Sequence, residues 1–160
     1  MDDLSTISIM VASAGLLVAA AYYLLQIRHQ TKMRQTDMVI RLYNTFGSTD
    51  FQEAYQKSHS LQFRTYEDYS EKYEGDVEVQ TTLYSVCAYF ESIGVLLHRR
   101  LISLDLIDDL LSTDIIWTWK KLEPVITGWR EHASRPQIWE WFQYLYNEMA
   151  KKEQILSSTN

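Results

Sequence analysis

A long run without a charge, Ile7–Ile27, constrains this chain more than any other feature of its sequence. A helix of that length spans about 30 Å, which matches the hydrocarbon thickness of a bilayer. Tyr22 and Tyr23 stand near its C-terminal end, where amphipathic rings favour the membrane interface. The run therefore predicts one transmembrane helix over residues 7–27, in contact with membrane lipid.

The flanks of this run distinguish a retained anchor from a cleaved signal peptide. A signal peptide begins with a basic stretch, whereas this chain begins MDDLST, which is acidic, so we expect the helix to be retained. Arg28, Lys32 and Arg34 follow the run, and no Lys or Arg precedes it. The positive-inside rule then predicts a cell (inner) membrane protein with residues 1–6 outside and the C-terminal domain in the cytoplasm.

The composition of the remaining chain excludes several classes of protein. The net charge of -6 argues against nucleic-acid binding, which needs a basic surface. Cys87 is the one cysteine, so an internal disulfide is impossible and a reducing compartment is favoured. Five glycines and two prolines in 160 residues favour long helices over a many-stranded β fold.

Helical periodicity and capping residues divide the rest of the chain into helices, without any strand pattern. We predict an all-α protein: one N-terminal transmembrane helix followed by a small cytoplasmic helical bundle. Its parts are a juxtamembrane helix and linker over 28–50, a helical domain over 51–153 and a disordered tail over 154–160. Ser134 is expected to cap the last helix, with Pro136 in its first turn. Pro124 is expected to kink or divide a helix that starts at Ile115.

Glycine and tryptophan positions indicate how these helices pack. Gly94 lies inside a predicted helix over residues 77–100, and a close helix–helix crossing would explain a glycine there. All five tryptophans fall between Trp117 and Trp141, and we expect them to form the core between the last two helices. An aromatic ligand pocket is the alternative. The predicted helix-packing positions are Phe90, Gly94, Trp117, Trp129 and Trp141.

Two segments resemble a known family. They are YFESIGVLLHRRLISLDLIDDLL, which contains Phe90-Glu91 and Gly94, and IIWTWKKLEPVITGWR, which ends at Arg130. In this order, behind a basic-flanked anchor, they are similar to a mostly prokaryotic, membrane-anchored helical family known only as a domain of unknown function (DUF4760-like). The resemblance implies the same architecture and implies no activity.

Motifs for chemistry are missing from the sequence. No histidine follows a glutamate by three residues, and neither Cys-x-x-Cys nor His-Glu-x-x-His occurs, so we predict no metal site. No Gly-x-Ser-x-Gly motif and no glycine-rich nucleotide loop are present. We therefore predict no cofactor and no catalytic residue.

Glu91 is the polar residue with the most informative position, at the edge of an apolar stripe. A buried carboxylate needs a partner, and Arg130 or, failing that, Arg64 could form a structural ion pair with it. Exposure to solvent and a role as general base are the alternatives.

Three functions remain open. The first is a protein-interaction or scaffold module at the membrane, which binds a protein partner or a second copy of itself. The second is a membrane-tethered enzyme with a site around Glu91 and Arg130, and an accessory subunit of a membrane complex is a third possibility. A deep polar pocket would favour the enzyme, and a surface with an exposed apolar patch would favour the interaction module.

Overall fold

The computed structural model describes the backbone of residues 2–158 and the side chains of residues 6–155. Within these residues all regular structure is helical, which confirms the predicted all-α fold. The helices are α1 (Asp2–Phe46), α2 (Thr49–Ser60), α3 (Tyr66–Tyr73), α4 (Val77–His98), α5 (Leu104–Ala133) and α6 (Glu140–Ser158). The chain divides into two compact units, Met1–Asp37 and Met38–Asn160.

The first unit consists of the N-terminal part of α1. Its apolar side chains are exposed, and Leu16 and Leu17 show 74% and 72% of their surface. Among the described residues, α1 is the one helix long and apolar enough to cross a membrane, judged by length and composition. Its uncharged stretch coincides with the predicted anchor over residues 7–27.

The second unit begins with the last turns of α1, earlier than the predicted domain start at residue 51. Val39 is buried, and Leu42 and Phe46 pack against the core. The hydroxyl of Tyr89 donates to the carbonyl of Leu42 at 2.7 Å. Positions 39, 42 and 46 share one helix face, and this face extends the domain into the segment predicted as a juxtamembrane linker.

Short polar side chains fix the starts of the next three helices. The hydroxyls of Ser48 and Thr65 accept the backbone N–H groups of the residues three positions later, at 3.4 and 3.2 Å. Asp76 accepts the N–H groups of Glu78 and Val79 at 3.0 and 3.1 Å. Each cap satisfies donors that have no partner within the helix, which sets where α2, α3 and α4 begin.

Helix α4 lies at the centre of the domain and packs on α2 and α6. Phe90 is fully buried and stacks on Phe142 of α6, with ring centroids 5.0 Å apart. At Gly94 the helices approach so closely that a Cβ atom would lie 2.5 Å from the carbonyl carbon of Trp141. This crossing places the start of α6 directly against α4.

Helix α5 is one continuous helix, although the sequence predicted a helix that starts at Ile115 and is kinked or divided at Pro124. It runs from Leu104 to Ala133 with Pro124 inside it. Residues on both sides of the proline, among them Ile115 and Ile126, are fully buried and hold one helix against the core. The hydrogen bond that Pro124 cannot donate would have used the carbonyl of Lys120, an exposed residue that water can reach.

The connection from α5 to α6 also differs from the prediction. Ser134 does not cap α6, because it adopts a left-handed conformation with φ of 52° and ends α5. Pro136 therefore lies in the turn over residues 134–139, before α6. Helix α6 continues to Ser158, so residues 154–158 of the predicted disordered tail are helical. Met1 and the last two residues lie outside the described residues.

The tryptophans do not form one core cluster as predicted. Trp119 is buried, whereas Trp117, two residues earlier, is 58% exposed. Residues two apart in a helix point about 200° apart, so both could not face the same core. Trp129, Trp139 and Trp141 are partly buried and lie close to the turn over residues 134–139.

Candidate functional site

A groove of about 570 Å³ opens between α4, the end of α5 and the turn over residues 134–139. We call it the aromatic groove because rings form most of its walls. Its lining residues are Gln80, Tyr84, Glu91, Trp129, Ile138 and Trp139.

Helix α4 supplies one wall through residues that share a face beside its buried stripe. Gln80, Tyr84 and Glu91 are four and seven residues apart, so their side chains point in similar directions. Tyr84 is 64% exposed, and its ring meets that of Trp139 edge to face at 5.1 Å. Cys87 lies on the same helix but is completely buried, and burial followed by the nearby Glu91 charge raises the pKa of its thiol. A thiol in that environment is unreactive.

Trp139 has an unusual backbone conformation. Its φ is 55°, in the left-handed region that bulky residues rarely adopt and that costs about 1–2 kcal/mol. Such conformations persist only where neighbouring groups impose them, and they concentrate at functional sites. Neighbouring groups must therefore hold the turn at Trp139 in this conformation.

Arg130 holds the turn from the α5 side. Its Nε donates to the carbonyl of Ile138 at 2.8 Å, and its Nη2 donates to the carbonyl of Trp139 at 3.3 Å. Its Nη1 donates to the side chain of Gln143 in α6 at 2.8 Å. One planar guanidinium thus joins the end of α5, the turn and α6.

Glu91 holds the same turn from the α4 side. Its Oε2 accepts the backbone N–H of Phe142 at 2.7 Å, which satisfies a free donor in the first turn of α6. Burial raises the pKa of Glu91, and the Glu140 charge adds to the rise. The N–H groups of Phe142 and Trp141 and the charge of Arg130 act in the opposite direction. The carboxylate therefore serves as a helix cap at the edge of the groove.

The direct ion pair expected for Glu91 does not form among the described residues. Arg130 uses its donors on carbonyl and amide oxygens, and it interacts with Glu91 only through the field of its charge. Burial lowers the pKa of Arg130, and the Glu91 charge opposes that change. Arg64 lies elsewhere, where its backbone N–H donates to Asp68 at 3.0 Å. The reason is geometric, because the Glu91 carboxylate lies against the N-terminus of α6 and accepts the N–H of Phe142.

The predicted helix-packing residues separate into two groups. Phe90, Gly94 and Trp141 meet at the α4–α6 crossing beneath the groove, and Trp129 lines the groove itself. Trp117 lies apart from them, with its ring against His59 at 4.3 Å. Sequence reasoning did not identify Tyr84 and Trp139 as site residues. The signal for Trp139 was the concentration of tryptophans between Trp117 and Trp141, which the sequence analysis assigned to the core, and no such signal marked Tyr84.

A second depression lies between α5 and α6, with a volume of about 430 Å³. It contains a single aromatic ring, that of Trp117. Two acidic residues line it, Asp108 and Glu153, and Asp108 is already paired with Lys152 at 2.7 Å. We therefore regard the aromatic groove as the candidate site, because its rings are fixed by neighbours and face open space.

The chemistry available in the groove is that of binding. Aromatic faces, one carboxylate and one amide surround the space, and the carboxylate already accepts a backbone N–H. Within the part of the chain that the structure describes, no group of three or more His, Cys, Asp or Glu side chains is arranged to hold a metal ion.

The fold and the groove define a class: an all-α protein with a long apolar N-terminal helix and an aromatic-lined surface site. The chain belongs to the family described as Domain of unknown function (DUF4760), whose model matches residues 9–149. No curated protein and no solved structure matches it. The match extends from the apolar part of α1 to Met149 in α6, so it includes all residues of the groove.

Proposed function

We propose that this chain is a single-pass membrane protein whose cytoplasmic helical domain is an interaction module, and that the aromatic groove is where it binds a partner protein. The observation that carries the proposal is the strained backbone of Trp139, which Arg130 and the Glu91-capped helix α6 hold in place. The ring of Trp139 is half-buried against the core, and the part that remains accessible lines the groove.

The length and composition of α1 support the membrane part of the proposal. The exposed apolar surface of the stretch over residues 7–27 is far larger than a water-soluble helix tolerates, and lipid would cover it. The basic residues that follow it favour a cytoplasmic domain. A reporter fused after Asn160 should be active only in the cytoplasm, and activity on the other side of the membrane would refute the orientation.

Site-specific photocrosslinking in native membranes tests the binding part. We would place p-benzoylphenylalanine at Tyr84, which is exposed and lines the groove, and at Gln56 on α2 as the matched control. We expect one discrete adduct from position 84 and none from position 56. Trp139→Leu should abolish the adduct while the circular dichroism of the domain stays helical. Equal labelling from both positions, or an adduct that survives loss of Trp139, would refute binding at the groove.

The rival function is a membrane-tethered enzyme that uses Glu91 and Arg130. The engaged donors of Arg130 and the capping role of Glu91 favour the interaction module over this rival. An accessory subunit of a membrane complex is a special case of the interaction module, in which the anchor contributes to assembly. In that case the adduct from position 84 should depend on residues 7–27, and replacing that run with an unrelated transmembrane helix distinguishes the two.

A further inference from the structure

The groove has the electrostatic character of a site for an organic cation. The faces of aromatic rings carry partial negative charge, and a cation within about 6 Å of a ring centroid is attracted to it. Tyr84, Trp129 and Trp139 supply three such rings, and Glu91 adds a carboxyl group. No Lys or Arg stands among the described residues that line the groove.

The charges around the groove point the same way. The charges of Glu91, Glu123 and Glu140 all act on Arg130. Glu140 lies close enough to act on both Glu91 and Arg130. Arg130 and Arg135 are the arginines at the end of α5 and in the turn, and the donors of Arg130 are directed at the turn and Gln143. The local field therefore favours a basic partner over an acidic one.

The shape of the groove favours a side chain held on a protein over a free small molecule. Sites for small ligands enclose most of the ligand surface, whereas this groove is open and its ring at Tyr84 is mostly exposed. Among cationic side chains, arginine stacks on aromatic faces more often than lysine because its planar guanidinium is weakly hydrated. We infer that the aromatic groove binds an arginine side chain from a basic segment of a partner protein, an inference that rests on the proposed function and names the chemistry of the same site.

Fluorine NMR of the full chain tests this inference. The protein is labelled with 5-fluorotryptophan and held in maltoside micelles, which lack ammonium headgroups that could compete. The probes are the blocked peptide Gly-Arg-Gly and its neutral isostere Gly-citrulline-Gly. We expect the arginine peptide to shift the Trp129 and Trp139 signals, to leave Trp117 unchanged, and to bind about tenfold more tightly than the citrulline peptide.

Two variants separate the contributions to that preference. Glu91→Gln keeps an oxygen for the N–H of Phe142, so it should preserve the fold and reduce the arginine-to-citrulline ratio at least threefold. Tyr84→Leu changes an exposed ring and should weaken the arginine peptide about threefold, whereas Trp117→Leu should leave it unchanged. Both peptides binding equally, or a response confined to Trp117, would overturn the inference.

The remaining outcomes keep the two proposals distinguishable. Choline chloride that binds more tightly than the arginine peptide would show a small-ammonium site and refute the arginine inference. If the photoadduct from position 84 forms but arginine has no advantage over citrulline, the interaction module stands and the inference falls. If arginine is preferred but no adduct forms in membranes, the partner-binding function falls.

Discussion

Two parts of the domain combine aromatic rings with titratable side chains, the aromatic groove and a network between α2 and α5. The network consists of Tyr55, His59, Asp114 and Thr118. The Tyr55 hydroxyl donates to Asp114 at 2.8 Å, and the Nε2 of His59 lies 3.1 Å from the hydroxyl of Thr118. Thr118 is completely buried, and the ring of Trp117 covers His59. Its polar groups bond to one another, with Tyr55 and Thr118 buried and His59 and Asp114 half-buried.

The groove also combines aromatic rings with titratable side chains, but it arranges them differently. Its hydrogen bonds to and from Arg130 and Glu91 fix the turn and the start of α6, and its rings line open space. A closed network stabilises the fold and leaves no surface for a ligand. A binding site requires side chains that neighbouring groups hold in place and that a ligand can reach. The contrast suggests that substitutions in the network should change stability, whereas those in the groove should change binding.

Gly94→Ala should have the largest effect, because it acts on the scaffold that both regions share. The added Cβ would meet the backbone of Trp141, so α4 and α6 would have to separate. We expect a loss of about 3 kcal/mol in the free energy of unfolding, measured by urea denaturation. Gly47→Ala is the control, since a Cβ there would make ordinary contacts. Equal stability of the two variants would mean that the crossing is looser than described.

Thr118→Val should have the second-largest effect on stability, because it leaves His59 without its hydrogen-bond partner. The change keeps the shape of the side chain but removes the hydroxyl next to His59. We expect a loss of about 2 kcal/mol in the free energy of unfolding and no change in peptide binding at the groove. Thr127→Val on the same helix, at an exposed position, should cost far less. Weakened peptide binding in Thr118→Val would contradict the separation between the two regions.

Glu91→Ala should destabilise the domain less than Thr118→Val does, by about 1 kcal/mol, the usual cost of removing a helix cap. A direct buried ion pair with Arg130 would raise the cost to about 3–5 kcal/mol. Glu91→Gln is the matched control and should lie close to wild type, because its amide oxygen can still accept from Phe142. Thermal melting followed by circular dichroism distinguishes the two values. A loss above 3 kcal/mol would show that the charges are directly paired.

The sequence predicted those parts of the fold that depend on local signals. The helix predicted over residues 77–100 and the close helix crossing at Gly94 follow from residue type and spacing, and the structure has both. The end of α5 could not be predicted in this way. Ser134 resembles a helix N-cap locally, but bonds from Arg130 to carbonyls eight and nine residues later stabilise the turn that follows it.

The site was predictable only in part, for a related reason. Glu91 and Trp129 were singled out, because a carboxylate beside an apolar stripe and a cluster of tryptophans are visible in the sequence. Periodicity shows which face of a helix is apolar but not which element covers it. The meeting of Tyr84 with Trp139 depends on the left-handed backbone at residue 139, which the sequence does not encode locally.

The smallest expected effect is a difference in pH dependence between the two regions. Burial lowers the pKa of His59 below its usual 6.5, and the Lys121 charge adds to this while that of Asp114 opposes it. The unfolded chain then binds more protons at this site than the folded chain, so stability is lost as the pH falls from about 6.5 through the folded pKa. The raised pKa of Glu91 has the opposite sign, and its contribution to stability is lost as the pH rises from 4.5 through the folded pKa.

Two isosteric variants separate these opposite slopes. Around His59 the neighbouring groups are Tyr55, Asp114, Thr118 and Lys121, and the ring is half-buried, so solvent screening should keep its effect below about 1 kcal/mol. Urea midpoints of His59→Gln should therefore fall less than those of wild type between pH 7 and pH 5.5. Midpoints of Glu91→Gln should fall more than those of wild type as the pH falls to 4.5, because this variant lacks the gain that the raised pKa of Glu91 provides. The same pH dependence in both variants would contradict the opposite pKa shifts of His59 and Glu91.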